Sequence, residues 1–424
     1  MVEQASSLKT GVKYKQTPVG KIPVDWEVLR LGDVCDIIGG STPSTKNKEF
    51  WGGEIPFATP TDITNLQGRE ISDTKQSITP KGLSSCGAHL LPTGSILLTS
   101  RATLGACAVN AKPMATNQRF ASLVCKEKAH NWFIFYKMIS LQREMDRQGS
   151  GNTFKEISKR NIRSLTLSLP PLPEQKKIAE ILRVVDGTIE KTTQIIEKTK
   201  EVKRGLMQRL LTRGIGHKRF KRTEIGEIPE EWHVVMLKDI VRKFYNGGTP
   251  DTACSEYWDG NIPWITGADF ENQKVNQVRR NITHEGLENS TTNIIPKGNL
   301  LVVTRTGVGK LAIAPFDIAI GQDITGIILD SEKSFTDYVY WYLDHKANRL
   351  RSIIQGTSIN GLLREDLESF SIPLAPVEEQ RRISKILSSI DDEIENELND
   401  KKQLQALKKG LMQALLTGKL RVAV

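Results

Sequence analysis

Residues 174–213 read EQKKIAEILRVVDGTIEKTTQIIEKTKEVKRGLMQRLLTR, and residues 379–420 read EQRRISKILSSIDDEIENELNDKKQLQALKKGLMQALLTGKL. The second stretch repeats the first. Ile178, Ile181, Val185, Ile195, Val202 and Leu206 step by threes and fours, with Thr188, Thr192 and Thr199 on the missing beats. Ile383, Ile386, Ile390, Leu404, Leu407 and Leu411 take up the same phases, Ile383 coming 205 positions after Ile178. This is a heptad seam, and it predicts two long helices of one pattern. No proline interrupts either run, and about 40 residues at ~1.5 Å rise make a rod of roughly 60 Å. Such a rod cannot bury its stripe alone. The copy of matching length and phase is its most economical partner, so an intramolecular coiled coil is expected. Thr188, Thr192, Glu393, Glu397 and Asp400 interrupt the seam and argue against a uniformly apolar zipper. Gly205 and Gly410 share one position near the helix ends. Close backbone approach and a frayed end both account for a glycine there.

Composition sets the outer bounds. A chain of 424 residues suffices for two or three domains, and 38% hydrophobic with 25% charged residues is ordinary for a globular protein. No apolar run approaches the ~20 residues that span a bilayer, and the N-terminus MVEQASSLKTGVKYKQ lacks the apolar core of a signal peptide. A cytoplasmic location is expected. The five cysteines, Cys35, Cys86, Cys107, Cys125 and Cys254, show no CxxC spacing and read as buried free thiols. The net charge of +10 favours a polyanionic partner.

The repetition extends well beyond the helices. Residues 17–34, TPVGKIPVDWEVLRLGDV, match residues 223–240, TEIGEIPEEWHVVMLKDI, with Trp26 and Trp232 as anchors. GGSTPSTKNKEFWGGEIPF at 39–57 answers GGTPDTACSEYWDGNIPW at 247–264, and LPTGSILLTSRATLGACAVN at 91–110 answers IPKGNLLVVTRTGVGKLAIA at 295–314. A helix carrying Trp132, Phe133 and Tyr136 has its counterpart in Tyr338, Trp341 and Tyr342; aromatics at this spacing read as core. A last strand, a proline-rich elbow and an acidic first turn then lead into each long helix. The chain therefore divides into an N-terminal tail (1–16), a first globular domain (17–172), a central helix (173–215), a second domain (216–376) and a C-terminal helix (377–424). The scaffold repeats while the loops diverge, as expected of two domains that read different things.

Catalytic motifs are missing. Thr304 to Leu311, TRTGVGKL, imitates a phosphate loop but lacks the glycine at 304 and the Ser/Thr after Lys310. His89, His217, His233 and His284 show no metal spacing. The chain reads as a non-catalytic reader and organiser.

Two variable domains alternate with two near-identical helices. Together with the Trp26/Trp232 segments, the PLPEQKKIAEILRVVD and PVEEQRRISKILSSIDD helix starts and the paired GLMQ endings, this resembles the DNA-specificity subunit of type I restriction-modification enzymes. The resemblance covers residues 17–420. It implies an α+β fold: two similar mixed α/β target-recognition domains, joined by two long helices in an intramolecular antiparallel coiled coil, pseudo-twofold symmetric. It further implies that each domain reads half of a bipartite target. Docking in successive major grooves sets the spacing near the DNA repeat of roughly 34 Å.

Side chains for base edges and phosphates are sought in the loops. The candidates are Ser41, Thr42, Lys46, Thr61, Asn65, Arg101, Thr103, Asn117, Gln118 and Arg119 in the first domain. In the second they are Thr249, Asp251, Thr266, Asp269, Arg305, Lys310, Gln322 and Asn360. Arg101 and Arg305 lead because they end matching strands. The resemblance implies partners: double-stranded DNA, two methyltransferase (modification) subunits and restriction (nuclease-translocase) subunits, with no membrane. Lys177, Arg183, Lys198, Arg382 and Lys385 are candidate subunit contacts. S-adenosylmethionine, ATP and Mg are expected in the partners, with no cofactor or metal in this chain. The alternatives are a coiled-coil adaptor that binds only proteins, and an enzyme with divergent motifs.

Overall fold

The computed structural model describes residues 13–423 apart from 102, 150–154, 272, 276, 306 and 353–360. The chain forms two compact units, residues 1–195 with 397–424 and residues 196–396. Four helices organise them: α1 (Asn131–Ser140), α2 (Leu172–Arg213), α3 (Thr336–His345) and α4 (Val377–Leu415). Each unit therefore takes half of α2 and half of α4.

In the first unit the main sheet has strands β1 (Cys35–Gly39), β2 (Glu70–Ile71), β3 (Ile96–Leu98), β4 (Cys107–Asn110) and β5 (Ala121–Cys125), in the order β1-β5-β3-β4-β2. Pairing is antiparallel except between β2 and β4. The second unit repeats this with β6 (Val241–Asn246), β7 (Leu300–Val303), β8 (Leu311–Ile313) and β9 (Ile324–Leu329), in the order β6-β9-β7-β8, all antiparallel. A second sheet accompanies each, three-stranded on Trp51–Ala58 in the first unit and four-stranded on Trp258–Ile265 in the second. Each also contains one parallel pair.

The aromatic helices α1 and α3 are buried as expected, Phe133, Tyr136 and Tyr338 completely and Trp132, Trp341 and Tyr342 nearly so. Each ends in a break and a further short helix, Gln142–Gln148 or Ala347–Ser352. The start of each is pinned by a buried glutamine from the first turn of a long helix. Gln175 Oε1 accepts the His130 amide and Gln380 Oε1 the Phe335 amide, both at 2.8 Å.

The long helices run antiparallel within each unit. In the first, Lys408 of α4 pairs with Asp186 of α2 at 2.6 Å and sits over the Tyr136 ring. In the second, Lys203 of α2 pairs with Asp391 of α4 and sits over the Trp341 ring. The seam differs from the sequence expectation. Ile195, Val202 and Leu407 are 45%, 55% and 52% exposed, while Ile178, Leu182, Ile196, Met207, Leu210 and Leu211 are buried. The reason is that the helix ends pack into domain cores, with Ile178, Leu182 and Leu415 around Trp26, and Leu210, Ile383 and Leu387 around Trp232. Burial thus tracks the domain surfaces and departs from a strict heptad. At Gly205 and Gly410 a Cβ would meet nothing within 4 Å, so close approach does not explain them. Neither marks a frayed end, since both lie inside continuous helix.

Beyond the end of each long helix the chain turns back and closes its unit. Gly214 and Gly418 make the turn with left-handed φ of 62° and 72°, which suits only glycine. A Cβ at either would collide with the nearby tryptophan, Trp232 or Trp26 respectively, or its surroundings. In the first unit the returning Arg421 grips Glu174 at 2.6 and 2.8 Å and Asp25 at 2.7 and 2.9 Å, while Trp26 Nε1 donates to Glu174 at 3.2 Å. In the second, Trp232 Nε1 donates to Glu379 at 3.0 Å and His217 Nε2 lies 2.9 Å from the same carboxylate. Strand Tyr14–Thr17 pairs with Gly20–Pro23, and the Tyr14 hydroxyl donates to the Gly418 carbonyl. All five cysteines are free, Cys35 buried and the others half-buried.

Arg421→Ala strips the counter-charge from a carboxylate that is 3% exposed. It should cost the first unit about 3 kcal/mol in urea unfolding. A second expectation concerns Lys137, whose ammonium is buried between Ser168 Oγ at 2.9 Å and the Leu416 carbonyl at 2.7 Å. Burial pushes its pKa from 10.5 down to about 8. The unfolded chain thus binds the extra proton between those values, and stability rises with pH across the window. Lys137→Met should remove that rise, on the order of 2–3 kcal/mol, in thermal melts recorded from pH 7.5 to 10.5.

Candidate nucleic-acid interface

The first-domain candidates converge on loops at one edge of the main sheet. The Ser41 amide donates to the Thr116 carbonyl at 3.0 Å, and the Thr42 hydroxyl donates to Gln118 Oε1 at 2.5 Å. The Asn117 amide reaches back to the Ala58 carbonyl at 3.2 Å, just before the short helix Pro60–Thr64 that carries Thr61 and caps at Asn65. Ser100 joins Arg119 through its amide at 2.8 Å, which brings the Arg101 loop alongside. Arg101, Arg119, Gln118, Thr61, Asn65, Lys46 and Thr103 are exposed; Ser41, Thr42 and Asn117 are half-buried. Arg101 lies 3.5 Å from Glu156, with both side chains about half exposed (51% and 53%). An ion pair so solvated is worth under about 1 kcal/mol, so a phosphate can displace it.

The second domain divides its candidates. Thr249, Asp251, Gln322 and Arg305 are exposed, and Arg305 has no ion pair among the described residues. Asn360 lies outside the described residues. Thr266 and Asp269 face inward. Thr266 caps a short turn by donating to Asp269, and Arg279 clamps that carboxylate at 2.5 and 3.2 Å. Burial works against the Asp269 carboxylate, but Arg279 and Thr266 outweigh it and hold its pKa below the ordinary value. Lys310 spends its ammonium on the Gly267 carbonyl at 2.9 Å. These three side chains hold the loops in shape. That use of Lys310 also separates residues 304–311 from a phosphate-binding loop.

Sequence reading missed a basic element. Lys155, Lys159, Arg160 and Arg163 are all exposed on or beside the short helix Lys159–Ser164. Lys159 lies across Gly39, where a Cβ would collide with its ammonium, next to the Ser41 loop. The signal was present as KEISKRNIR at 155–163. In the second domain the equivalent helix reads REDLE, and Arg364 there is tied to Glu368 at 2.6 Å. The two recognition edges thus differ in charge as well as in loop sequence.

Along the long helices, Lys177, Lys198, Arg382 and Lys385 are exposed, Lys177 in a 3.0 Å pair with Glu180. Arg183 stacks on the Trp132 ring at 4.4 Å. No helix among the described residues is long and apolar enough to cross a membrane. No group of His, Cys, Asp and Glu among them is placed to hold a metal ion.

The profile of the type I restriction modification DNA specificity domain matches this chain twice, at residues 23–201 and 229–406. The chain belongs to that family. It is 32% identical over 435 residues to the putative type I restriction enzyme MjaX specificity subunit of Methanocaldococcus jannaschii, covering 96% of this chain and 97% of the relative. The MjaIX specificity subunit of the same organism is 30% identical, with 97% of each chain covered. Among solved structures, the type I restriction-modification S subunit from M. genitalium superposes with a TM-score of 0.62 at 14% identity, covering 96% of this chain and 99% of that one. That likeness concerns the fold. As a specificity subunit, the chain recognises a DNA target and is itself non-catalytic.

Asp269→Asn should loosen the second-domain loop and cost about 1–2 kcal/mol at neutral pH. The carboxylate's contribution is present above its ordinary value of 3.8 and is lost as the pH falls through the lowered folded value. Urea unfolding of both proteins at pH 7 and pH 3 should therefore give a gap that narrows in acid.

Proposed function

We propose that this specificity subunit reads a bipartite duplex target, one half through each domain, and that its long helices seat two methyltransferase subunits. The observation that carries the reading is a contrast inside one chain. The Trp–Glu lock, the glutamine pin and the Lys–Asp–aromatic contact occur in both units. The loop edges that they support diverge in sequence and differ in charge. A common scaffold with divergent edges suits two readers of different half-sites.

In this reading Arg101, Arg119 and Lys159 in the first domain, and Arg305 in the second, meet phosphates and base edges. Gln118 and Gln322 supply the paired donor and acceptor that adenine requires. Chemistry belongs to the partners: S-adenosylmethionine on the methyltransferase subunits, and ATP with Mg on restriction subunits that join them. Such an assembly works in the cytoplasm, where its DNA is. The aliphatic side chains left exposed along the helices, Val184, Ile195, Val202, Leu398 and Leu407, fit a protein surface better than water.

The test is methylome sequencing of a host without its own systems that expresses this chain with a methyltransferase subunit. The expected result is an adenine mark in a split motif, lost without this chain and altered in one half only when residues 223–376 are exchanged. Arg101→Ala together with Arg119→Ala should cut methylation at least tenfold. A soluble complex that leaves no mark would refute the reading.

A further inference from the structure

Both units carry the Lys–Asp–aromatic contact, with Tyr136 answered by Trp341, but they differ beside it. In the first unit the Arg183 guanidinium of α2 stacks on the Trp132 ring of α1, 4.4 Å from its centroid. The residues 205 positions on are Ser388 and Asp337. Neither fills the space, and the second unit has a cavity of about 300 Å³ there, lined by Asp337, Tyr340, Trp341, Ser388, Asp391 and Asp392 among others.

The lining is unbalanced in charge. Lys203 is committed to Asp391, and Lys274, the one cation among the described residues that lines the cavity, to Glu395 at 2.5 Å with Asp391 and Asp392 close by, against three carboxylates in the lining. Asp337 and Asp392 have no ion pair among the described residues. Burial pushes the Asp337 carboxyl up, with its own amide the one opposing influence. The floor is aromatic, Tyr340 and Trp341 lying edge to face at 4.8 Å. A half-buried carboxylate beside an aromatic face, with no ion pair of its own, is a site for a guanidinium, which is planar, stacks on rings and forks onto carboxylates. The first unit supplies that group from its own chain.

We propose that the cavity of the second unit takes an arginine side chain of a protein partner docked along residues 385–396 of α4. This rests on the reading that the long helices seat protein subunits, and it adds an anchor that only one of the two units offers. Partner seating is then unequal along the chain. The helix copy bearing Ser388 receives an arginine, while the copy bearing Arg183 has its place already filled.

Two arms test it. In the first, 5-fluorotryptophan-labelled full-length chain is titrated with N-acetyl-arginine methylamide, the Trp341 resonance being assigned with Trp341→Phe. A saturable shift is expected, lost in Asp337→Asn and not reproduced by N-acetyl-lysine methylamide or spermidine. No shift, or equal shifts with all three, overturns the proposal. In the second, a methyltransferase subunit is bound to the native chain, to Asp337→Asn and to Asp337→Trp/Ser388→Arg, which transplants the first unit's pair. At least a tenfold loss of affinity is expected in both variants, with melting unchanged for Asp337→Asn. Undiminished binding overturns the arginine anchor and leaves the proposed seating of subunits intact. Absence of binding to the native chain refutes that seating, and the arginine titration then decides the cavity by itself.

Discussion

Everything in this fold depends on a carboxylate in the first turn of each long helix. Glu174 and Glu379 each sit under a fully buried tryptophan and accept its indole N–H. Each then needs a cationic or donor group, which the chain brings from beyond the end of the other long helix. Arg421 closes the first unit after α4, and His217, with the Ile215 amide, closes the second after α2. Burying a carboxylate is tolerable only with such a partner. The position of each helix end is therefore fixed by the start of the other helix, and the first unit is completed only by a segment from the far end of the chain, whereas the second closes within residues 196–396.

On that constraint the remaining structure is built in layers. The glutamine next to each carboxylate pins the aromatic helix, and the aromatic helix offers a ring to a lysine of one long helix whose partner aspartate stands on the other. The sheet stands on the aromatic helix, and the loops stand on the sheet. The side chains proposed to meet DNA thus sit on loops positioned by a rigid base, where they can change without disturbing the core. The exchange of charge between Lys159–Ser164 and Arg364–Glu368 shows how far such an edge can change on one scaffold.

The repeat also shows where equivalence stops. Trp132 with Arg183 in one unit, and Asp337 with Ser388 in the other, occupy the same positions in the scaffold. One pair completes its packing internally and the other leaves a cavity. A duplicated architecture can in this way present unlike surfaces to its partners while keeping one fold.

The sequence by itself determined the number, order and length of the parts. Repetition at 205 positions, proline-free heptad runs and recurring tryptophans are local signals, and the two long helices they announced are present. It also put the first-domain candidates on loops, because turn chemistry and strand ends are local too, while folding brought the loops of Thr42 and Gln118 together. Only the tertiary structure decided which apolar residues of the helices are buried. Each helix end answers to a domain core, so Ile196 is covered while Ile195 and Val202 face outward. Only it showed that Thr266, Asp269 and Lys310 hold the loop from within, since their partners Arg279 and Gly267 are set by folding. Spacing along a chain records which face a side chain shares, but burial and pairing depend on what another segment brings to that face.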